Sequence, residues 1–116
     1  MATILYIEDN PDNMLFVKRA LEARGHRFVW AETGAHGVAL AQVLTPDLIL
    51  LNVDLPDADG CAVAERLRDT ARAPIIALTA NVFGSAQRTR AAGCGAHVLK
   101  PVSLRDLWKH VEAALC

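Results

Sequence analysis

The chain has 116 residues, of which 53% are hydrophobic and 22% are charged, the size and balance of one globular domain with its own core. Its formal net charge of −1 argues against binding to nucleic acid or to an anionic membrane through a broad, positively charged surface. We therefore expect one domain over residues 1–116, which binds its partners through a local site or face.

The cysteines and the apolar runs favour a cytoplasmic protein. Cys61, Cys94 and Cys116 are odd in number and far apart, so they form neither a disulfide framework nor a Cys-x-x-Cys metal or redox site. The start of the chain lacks a basic region followed by an apolar stretch, and no apolar run approaches the length of a membrane span. We expect no membrane segment and no exported form.

The first half of the chain predicts two strand–helix units. Ile4–Ile7 is a continuous apolar run, which is typical of a strand buried on both faces in a parallel sheet. A helix over about Pro11–Arg24 follows, because Asn10 can cap it and a proline suits its first turn. The weaker segment Phe28–Trp30 predicts an edge strand, and a second helix is predicted over residues 33–45.

The second half continues the same alternation of strand and helix. Continuous apolar runs again predict the strands, and glycine, serine and proline residues mark where the helices begin and end. Such an alternation produces a parallel sheet covered by helices on both faces, here with five strands. The predicted elements are a strand at Leu48–Leu51, a helix from about 59 to 73, a strand at Ile75–Leu78, a helix over 84–92, a strand at Val98–Leu99 and a helix over Ser103–Leu115.

Polar residues follow four of the predicted strands. In an open α/β sheet, ligands bind beyond the carboxyl ends of the strands, near the point where the strand order reverses. These strand ends should therefore meet at one edge of the sheet and form the functional site. The residues are Glu8 and Asp9 after the first strand, Asn52 after the third, Thr79 after the fourth and Lys100 after the fifth.

The adjacent acids Glu8 and Asp9 suggest a magnesium site. Two buried carboxylates repel each other unless a cation offsets them, and Mg²⁺ prefers hard oxygen ligands together with phosphate oxygens and water. We expect Asp9 to be a direct ligand and Glu8 to act through water. The Thr79 hydroxyl and the Lys100 ammonium are suited to holding phosphoryl oxygens. The alternative is a solvated acidic loop, a threonine cap and a surface lysine.

Four segments resemble the receiver domains of two-component response regulators in order and spacing, over essentially the whole chain. The resemblance implies a flavodoxin-like (βα)₅ fold, a doubly wound five-stranded parallel sheet in three α/β/α layers. It also implies a signalling module that is not itself an enzyme. The residues that carry it are Ile7-Glu8-Asp9-Asn10, Leu50-Leu51-Asn52-Val53-Asp54-Leu55-Pro56 with Asp59-Gly60, Leu78-Thr79-Ala80 and Leu99-Lys100-Pro101.

The same resemblance implies roles for individual residues. In the family, an aspartate that ends the third strand takes a phosphoryl group from a phosphohistidine, and the acidic pair binds Mg²⁺. Thr79 and Lys100 would then read the phosphate, the backbone carbonyl of Asp54 would ligate the metal, and His97 would stand where many receivers carry a switch aromatic. The Lys100–Pro101 peptide is expected to be cis.

The chain departs from the family at the residue that accepts the phosphate, which is Asn52. A carboxylate can attack phosphorus, whereas a neutral amide is a very poor nucleophile, so phosphorylation there should fail. The amide oxygen can still ligate Mg²⁺, but losing a charge should weaken the binding. Three explanations stay open: a natural degenerate receiver that works by contact, an engineered block of phosphorylation, or phosphorylation at Asp54 instead.

The expected partners are a histidine kinase or a histidine phosphotransfer protein, and a downstream signalling protein. We expect a monomer or weak dimer that contacts them through the face containing His97 and Trp108, and that binds no nucleic acid. Two other protein classes fit the sequence less well. A haloacid-dehalogenase-like phosphatase fragment lacks a nucleophile at Asn52, and a flavodoxin-like cofactor binder lacks the phosphate-cradling residues in its first loop.

Overall fold

Five parallel strands form one sheet in the computed structural model, which describes residues 2–55, 60–70, 72–79, 94–99 and 103–115. The order across the sheet is β2-β1-β3-β4-β5, so the sheet extends in opposite directions from the β1/β3 boundary. This confirms the predicted doubly wound flavodoxin-like fold. The strands are β1 (Thr3–Ile7), β2 (Arg27–Ala31), β3 (Leu48–Asn52), β4 (Ile75–Thr79) and β5 (Ala96–Leu99).

Helices cover both faces of the sheet and give the predicted three layers. Successive residues of a strand point to opposite faces, so each strand contributes to two apolar cores. One core joins alternate strand residues such as Leu5 and Ile49 to α2 and α3, and the other joins Tyr6 and Leu50 to α1 and α4. The helices are α1 (Pro11–Ala23), α2 (Gly34–Leu44), α3 (Gly60–Thr70) and α4 (Leu104–Leu115).

The helix caps lie where the sequence predicts them. The Asn10 side chain accepts hydrogen bonds from the backbone N–H groups of the first turn of α1, at 2.8 and 3.1 Å. Thr33 and Ser103 cap α2 and α4 in the same way. Gly25, with φ of 80°, follows the end of α1 in the left-handed region that favours glycine. The helix predicted over residues 84–92 lies outside the described residues.

Within those described ranges, no helix is both long enough and apolar enough to cross a membrane.

The loop after β3 lies directly against the start of α3. A Cβ atom added at Gly60 would lie 2.3 Å from the Cα and 2.5 Å from the carbonyl oxygen of Val53. Backbone atoms cannot rotate away from such a clash, so a larger residue must displace the loop or the helix. Glycine at position 60 therefore allows α3 to begin beside the carboxyl end of β3, where the predicted site lies.

We expect Gly60→Ala to lower the free energy of unfolding by about 1–3 kcal/mol, the usual cost of overpacking. Urea unfolding followed by circular dichroism measures this loss. Gly95→Ala is the matched control, because its Cβ would meet only the Ile75 carbonyl oxygen at 3.9 Å. The control should change stability by less than about 1 kcal/mol. Equal stability of Gly60→Ala and the parent protein would show that the loop yields without cost.

Candidate functional site

The carboxyl ends of β1, β3 and β4 bring the predicted polar residues together. Glu8 and Asp9 follow β1, Asn52 is the last residue of β3, and Thr79 is the last residue of β4. Neighbouring strands pair in parallel register, so these ends lie side by side. Lys100, predicted at the end of β5, lies outside the described residues, and so does the Lys100–Pro101 peptide.

Glu8 is fixed by three side chains that sequence reasoning missed. It is 1% exposed, and its carboxylate accepts hydrogen bonds from the Tyr6 hydroxyl at 3.2 Å and from the Asn13 amide at 3.0 Å. The Trp30 indole N–H donates to its backbone carbonyl at 2.7 Å. A buried carboxylate needs such donors to offset its lost hydration. The sequence carried one signal for these contacts, because Tyr6 and Glu8 are two residues apart in an extended segment and therefore share a face.

The pKa of Tyr6 is raised well above its ordinary value. Burial of the phenol is the largest cause, followed by the negative charge of Glu8, the hydrogen bond to Glu8 and the charge of Asp9. The hydroxyl therefore stays protonated and remains a donor to Glu8. A Glu8 carboxylate held in this way has little freedom to turn toward or away from the edge of the sheet.

Asn52 joins the ends of β1 and β3 through the two ends of its amide. Its Oδ1 accepts a hydrogen bond from the backbone N–H of Asp54 at 2.9 Å, and its Nδ2 donates to Asp9 Oδ1 at 3.3 Å. Only the oxygen end can accept from a backbone N–H, so this bond fixes which way the amide points. The nitrogen end therefore faces the Asp9 carboxylate.

Thr79 joins the same group through Asp54. Thr79 is 0% exposed. Its hydroxyl lies 3.1 and 3.0 Å from the two carboxylate oxygens of Asp54. Asp54 itself is an exposed residue just beyond the end of β3. The result is a continuous hydrogen-bonded chain, Asp9–Asn52–Asp54–Thr79, that crosses three strand ends. We call it the strand-end chain.

Comparison with known proteins gives the family. Residues 4–112 match the response regulator receiver domain. This chain belongs to that family. The match confirms the resemblance inferred from the strand-end motifs, and it covers nearly the whole chain.

Individual relatives agree with this assignment. The receiver domain is 34% identical to the polar-differentiation response regulator DivK of Brucella ovis over 117 residues, which covers 97% of this chain and 95% of the relative. A CheY-like receiver domain protein from Methanospirillum hungatei superposes with a TM-score of 0.93 at 26% identity, over 99% of this chain and 94% of the other.

A third similar structure is the receiver domain of a sensor histidine kinase from Pseudomonas aeruginosa, which has a magnesium ion coordinated in its active-site cleft. It superposes with a TM-score of 0.90 at 30% identity, over 98% of this chain and 97% of the other. Receiver domains of this family bind Mg²⁺ at the active site and act as signalling modules in two-component systems.

The donor set of this receiver domain fits a cation only in part. Asp9 is exposed and its carboxylate can ligate, and Glu8 lies beside it with oxygens that retain acceptor capacity. Asn52 turns its nitrogen end, a donor, toward Asp9. Among the described ranges, no cluster of three or more His, Cys, Asp or Glu residues is arranged to hold a metal. The site thus offers the adjacent carboxylates of Glu8 and Asp9, with an amide at position 52 and the Asp54 carboxylate bonded to Thr79.

Trp108 packs against α1 of the receiver domain. Its indole N–H donates to the Ala20 carbonyl at 2.8 Å, and the Arg24 guanidinium lies 4.0 Å from its ring centroid. His97 lies in β5, paired with Ala77, and its side chain is outside the described part. The predicted partner face containing both His97 and Trp108 therefore stays a prediction, with Trp108 half-buried between two helices.

An apolar groove of about 470 Å³ runs between α1 and α4 beside Trp108. Three large apolar side chains in its lining are exposed, namely Leu15 at 39%, Phe16 at 42% and Leu104 at 39%. Asp12 and Arg19 border the groove, so it begins near the strand-end chain and continues along α1. We call this surface the α1/α4 groove.

Cys94 does not form a second reactive site. It is buried, and burial, with a smaller contribution from nearby Cys61, raises the pKa of its thiol to about 11. The thiolate is the nucleophilic and metal-binding form of cysteine, and a thiol with a raised pKa holds little of it near neutral pH. The reactive groups of the described site are therefore those of the strand ends.

Proposed function

We propose that this receiver domain, residues 1–116, signals through protein contact and does not carry a phosphoryl group at position 52. The observation that carries the proposal is the amide at the end of β3, where the family resemblance expects the phosphate-accepting aspartate. Phosphoryl transfer needs a carboxylate oxygen to attack phosphorus and displace the leaving group, and a neutral amide does this very poorly. The chain is not an enzyme on this view, and a cytoplasmic location is expected.

The strand-end chain supports contact signalling because it holds the site together without added ligands. An aspartate in place of Asn52 would add a fourth carboxylate to those of Glu8, Asp9 and Asp54 at one edge, which is unfavourable without a cation. The Asn52 amide removes one charge and donates to Asp9. Position 52 therefore contributes to a connected edge that carries one negative charge fewer and in which Thr79 already has an acceptor. Lys100 and His97 are proposed to complete the phosphate-sensing and switch positions of the family.

Mg²⁺ is proposed to bind weakly at Asp9, with Glu8 acting through water and Asn52 and the Asp54 carbonyl as further oxygen ligands. When bound, the ion would neutralise charge at the acidic pair and orient oxygens for phosphoryl transfer. The weak affinity for Mg²⁺ is expected from the hydrogen bonds that Asn52 already makes. For the Asn52 amide oxygen to ligate Mg²⁺, it must lose the hydrogen bond from the Asp54 N–H or share its acceptor capacity between that N–H and the ion. The amide nitrogen must also give up its hydrogen bond to Asp9.

We expect Asn52→Asp to bind Mg²⁺ about ten- to a hundredfold more tightly than the parent protein, because it adds a charge and removes a donor from Asp9. Fluorescence titration can follow Trp30, which donates to the Glu8 carbonyl. Trp108→Phe in the background leaves Trp30 as the only tryptophan, since the chain has two.

The control for the metal titration is Asp9→Ala, which should abolish saturable binding in both backgrounds. Affinity that does not depend on Asp9 would place the ion elsewhere. Equal affinity of the parent protein and Asn52→Asp would contradict the proposed effect of the amide.

We expect Asn52→Asp to restore phosphate acceptance, because Asp9, Thr79 and Lys100 are present and only the carboxylate is missing. Both proteins are incubated with Mg²⁺ and acetyl phosphate, and intact mass is measured. The aspartate attacks phosphorus, acetate leaves, and the product is an acyl phosphate that is more stable in acid than in alkali. The added phosphoryl mass should appear on Asn52→Asp and not on the parent protein or on Asn52→Ala.

The same measurement tests the alternative acceptor, Asp54. If the parent protein gains as much phosphoryl mass as Asn52→Asp, the nucleophile is another residue, and our interpretation of position 52 is wrong. Loss of that mass in Asp54→Asn would then identify Asp54 as the acceptor.

The α1/α4 groove is proposed as the docking surface for the helices of a histidine kinase or histidine phosphotransfer protein. Three observations support it. The groove is apolar and lies between two helices, it reaches Asp12 near the strand-end chain, and the neighbouring surface around Trp108 carries Arg105 and Lys109 in addition to Arg19 at the groove. An amphipathic helix with an acidic flank fits such a surface, because apolar anchors fill the groove and charges pair at its rim. A downstream signalling protein is the further proposed partner.

We expect Phe16→Asp to weaken binding of the cognate histidine kinase by about tenfold or more, since it places a charge in the apolar groove. Titration calorimetry measures the change. Val43→Asp is the matched control, because Val43 is also an exposed apolar residue, at 79%, but lies in α2. If Val43→Asp weakens binding as much as Phe16→Asp does, the kinase docks on another face.

A further inference from the structure

The bond between Thr79 and Asp54 joins a buried hydroxyl to an exposed carboxylate. Thr79 is 0% exposed at the end of β4, whereas Asp54 is exposed in the loop after β3, yet the hydroxyl lies within 3.1 Å of both carboxylate oxygens. A hydroxyl has one proton and can donate fully to only one oxygen at a time. Either oxygen can therefore accept it, and small movements of the carboxylate do not break the contact.

Two hydrogen bonds of the loop after β3 bring Asp54 close to Thr79. The Asn52 side chain accepts from the Asp54 N–H, which closes an Asx-type turn just after the strand. The Val53 N–H donates to the Leu78 carbonyl at 3.1 Å, so the loop remains attached to β4 for one residue beyond the pairing of Asn52 with Leu78. Gly60 leaves space for this path against Val53. The turn thus directs position 54 toward the end of β4.

Buried hydroxyls need an acceptor, and an ionised carboxylate is a strong one. Charge-assisted hydrogen bonds are shorter and stronger than neutral ones, and a phosphoryl oxygen belongs to the same class of anionic acceptor. An oxyanion at position 52 and the Asp54 carboxylate would thus compete for one hydroxyl. The hydroxyl belongs to the last residue of β4, which pairs with Leu99 of β5.

We propose that Asp54 is a positioning residue that serves as a built-in acceptor for the Thr79 hydroxyl, in the place that an incoming phosphoryl oxygen would take. This inference rests on the proposed function, in which the domain signals without a phosphoryl group. Asp54 holds the end of β4, and through it the end of β5, in a state set by the sequence. The receiver then needs no phosphate donor to present that state to its partners.

Nuclear magnetic resonance of the whole chain tests the proposal without any phosphate donor or metal. Three-bond couplings to the Thr79 methyl carbon report the side-chain rotamer, and backbone amide shifts of Thr79 and Leu99 report the ends of β4 and β5. The variants are Asp54→Ala, which removes the carboxylate, and Asp54→Asn, which keeps an amide oxygen. Asp12→Ala is the control, because it removes another exposed carboxylate from the same end of the sheet.

The parent protein, Asp12→Ala and Asp54→Asn should each show one dominant Thr79 rotamer. Asp54→Ala should show couplings averaged between rotamers, together with shifted Thr79 and Leu99 amides. Unchanged β1 amide shifts would confirm that the variant is folded. Couplings in Asp54→Ala equal to those of the parent would overturn the proposal, as would averaging in Asp54→Asn. Because no phosphate is used, the result is separate from whether Asn52 blocks phosphorylation.

Discussion

The direction of the Asn52 amide is the constraint on which the strand-end chain depends. An amide has one accepting end and one donating end, and the Asp54 N–H claims the accepting end. The donating end is then left for Asp9, the carboxylate that a cation would otherwise neutralise. A single hydrogen bond from a backbone N–H therefore decides which end of the Asn52 amide faces Asp9, beyond the last paired residues of β1 and β3. It also closes the turn that carries Asp54 to Thr79.

Glu8 and Asp54 are held at this edge in two different ways. Glu8 is held from within the core by Tyr6 and from α1 by Asn13, so its position depends on packing that the whole sheet shares. Asp54 is exposed, and it is held by the turn at Asn52 and by the Thr79 hydroxyl at the end of β4. A receiver must keep its fold while one part of it changes, and an equilibrium shifts only through contacts that differ between the two states. The exposed Asp54 end is better suited to such a change than the buried Glu8 end.

Much of the fold was predictable because apolar runs and caps act locally. The apolar run Ile4–Ile7 is typical of a strand buried on both faces, and Asn10 precedes a proline in the manner of a helix cap. The convergence of the strand ends followed from parallel topology. The orientation of the Asn52 amide and the contact of Asp54 with Thr79 did not, since they depend on turn geometry and hydrogen-bond direction. The contact of Trp108 with the Ala20 carbonyl did not follow either, because the apolar stripe of a helix does not reveal which neighbour covers its edge.

The bond between Tyr6 and Glu8 also makes the acidic pair visible to spectroscopy. Tyr6 is the only tyrosine in the chain, so every tyrosine signal comes from one buried phenol that donates to one carboxylate. The vibrational bands of a phenol respond to whether it donates a hydrogen bond and how strongly. A change in the charge around Glu8 is thus recorded by a native chromophore in the core, and no label has to be placed in the site.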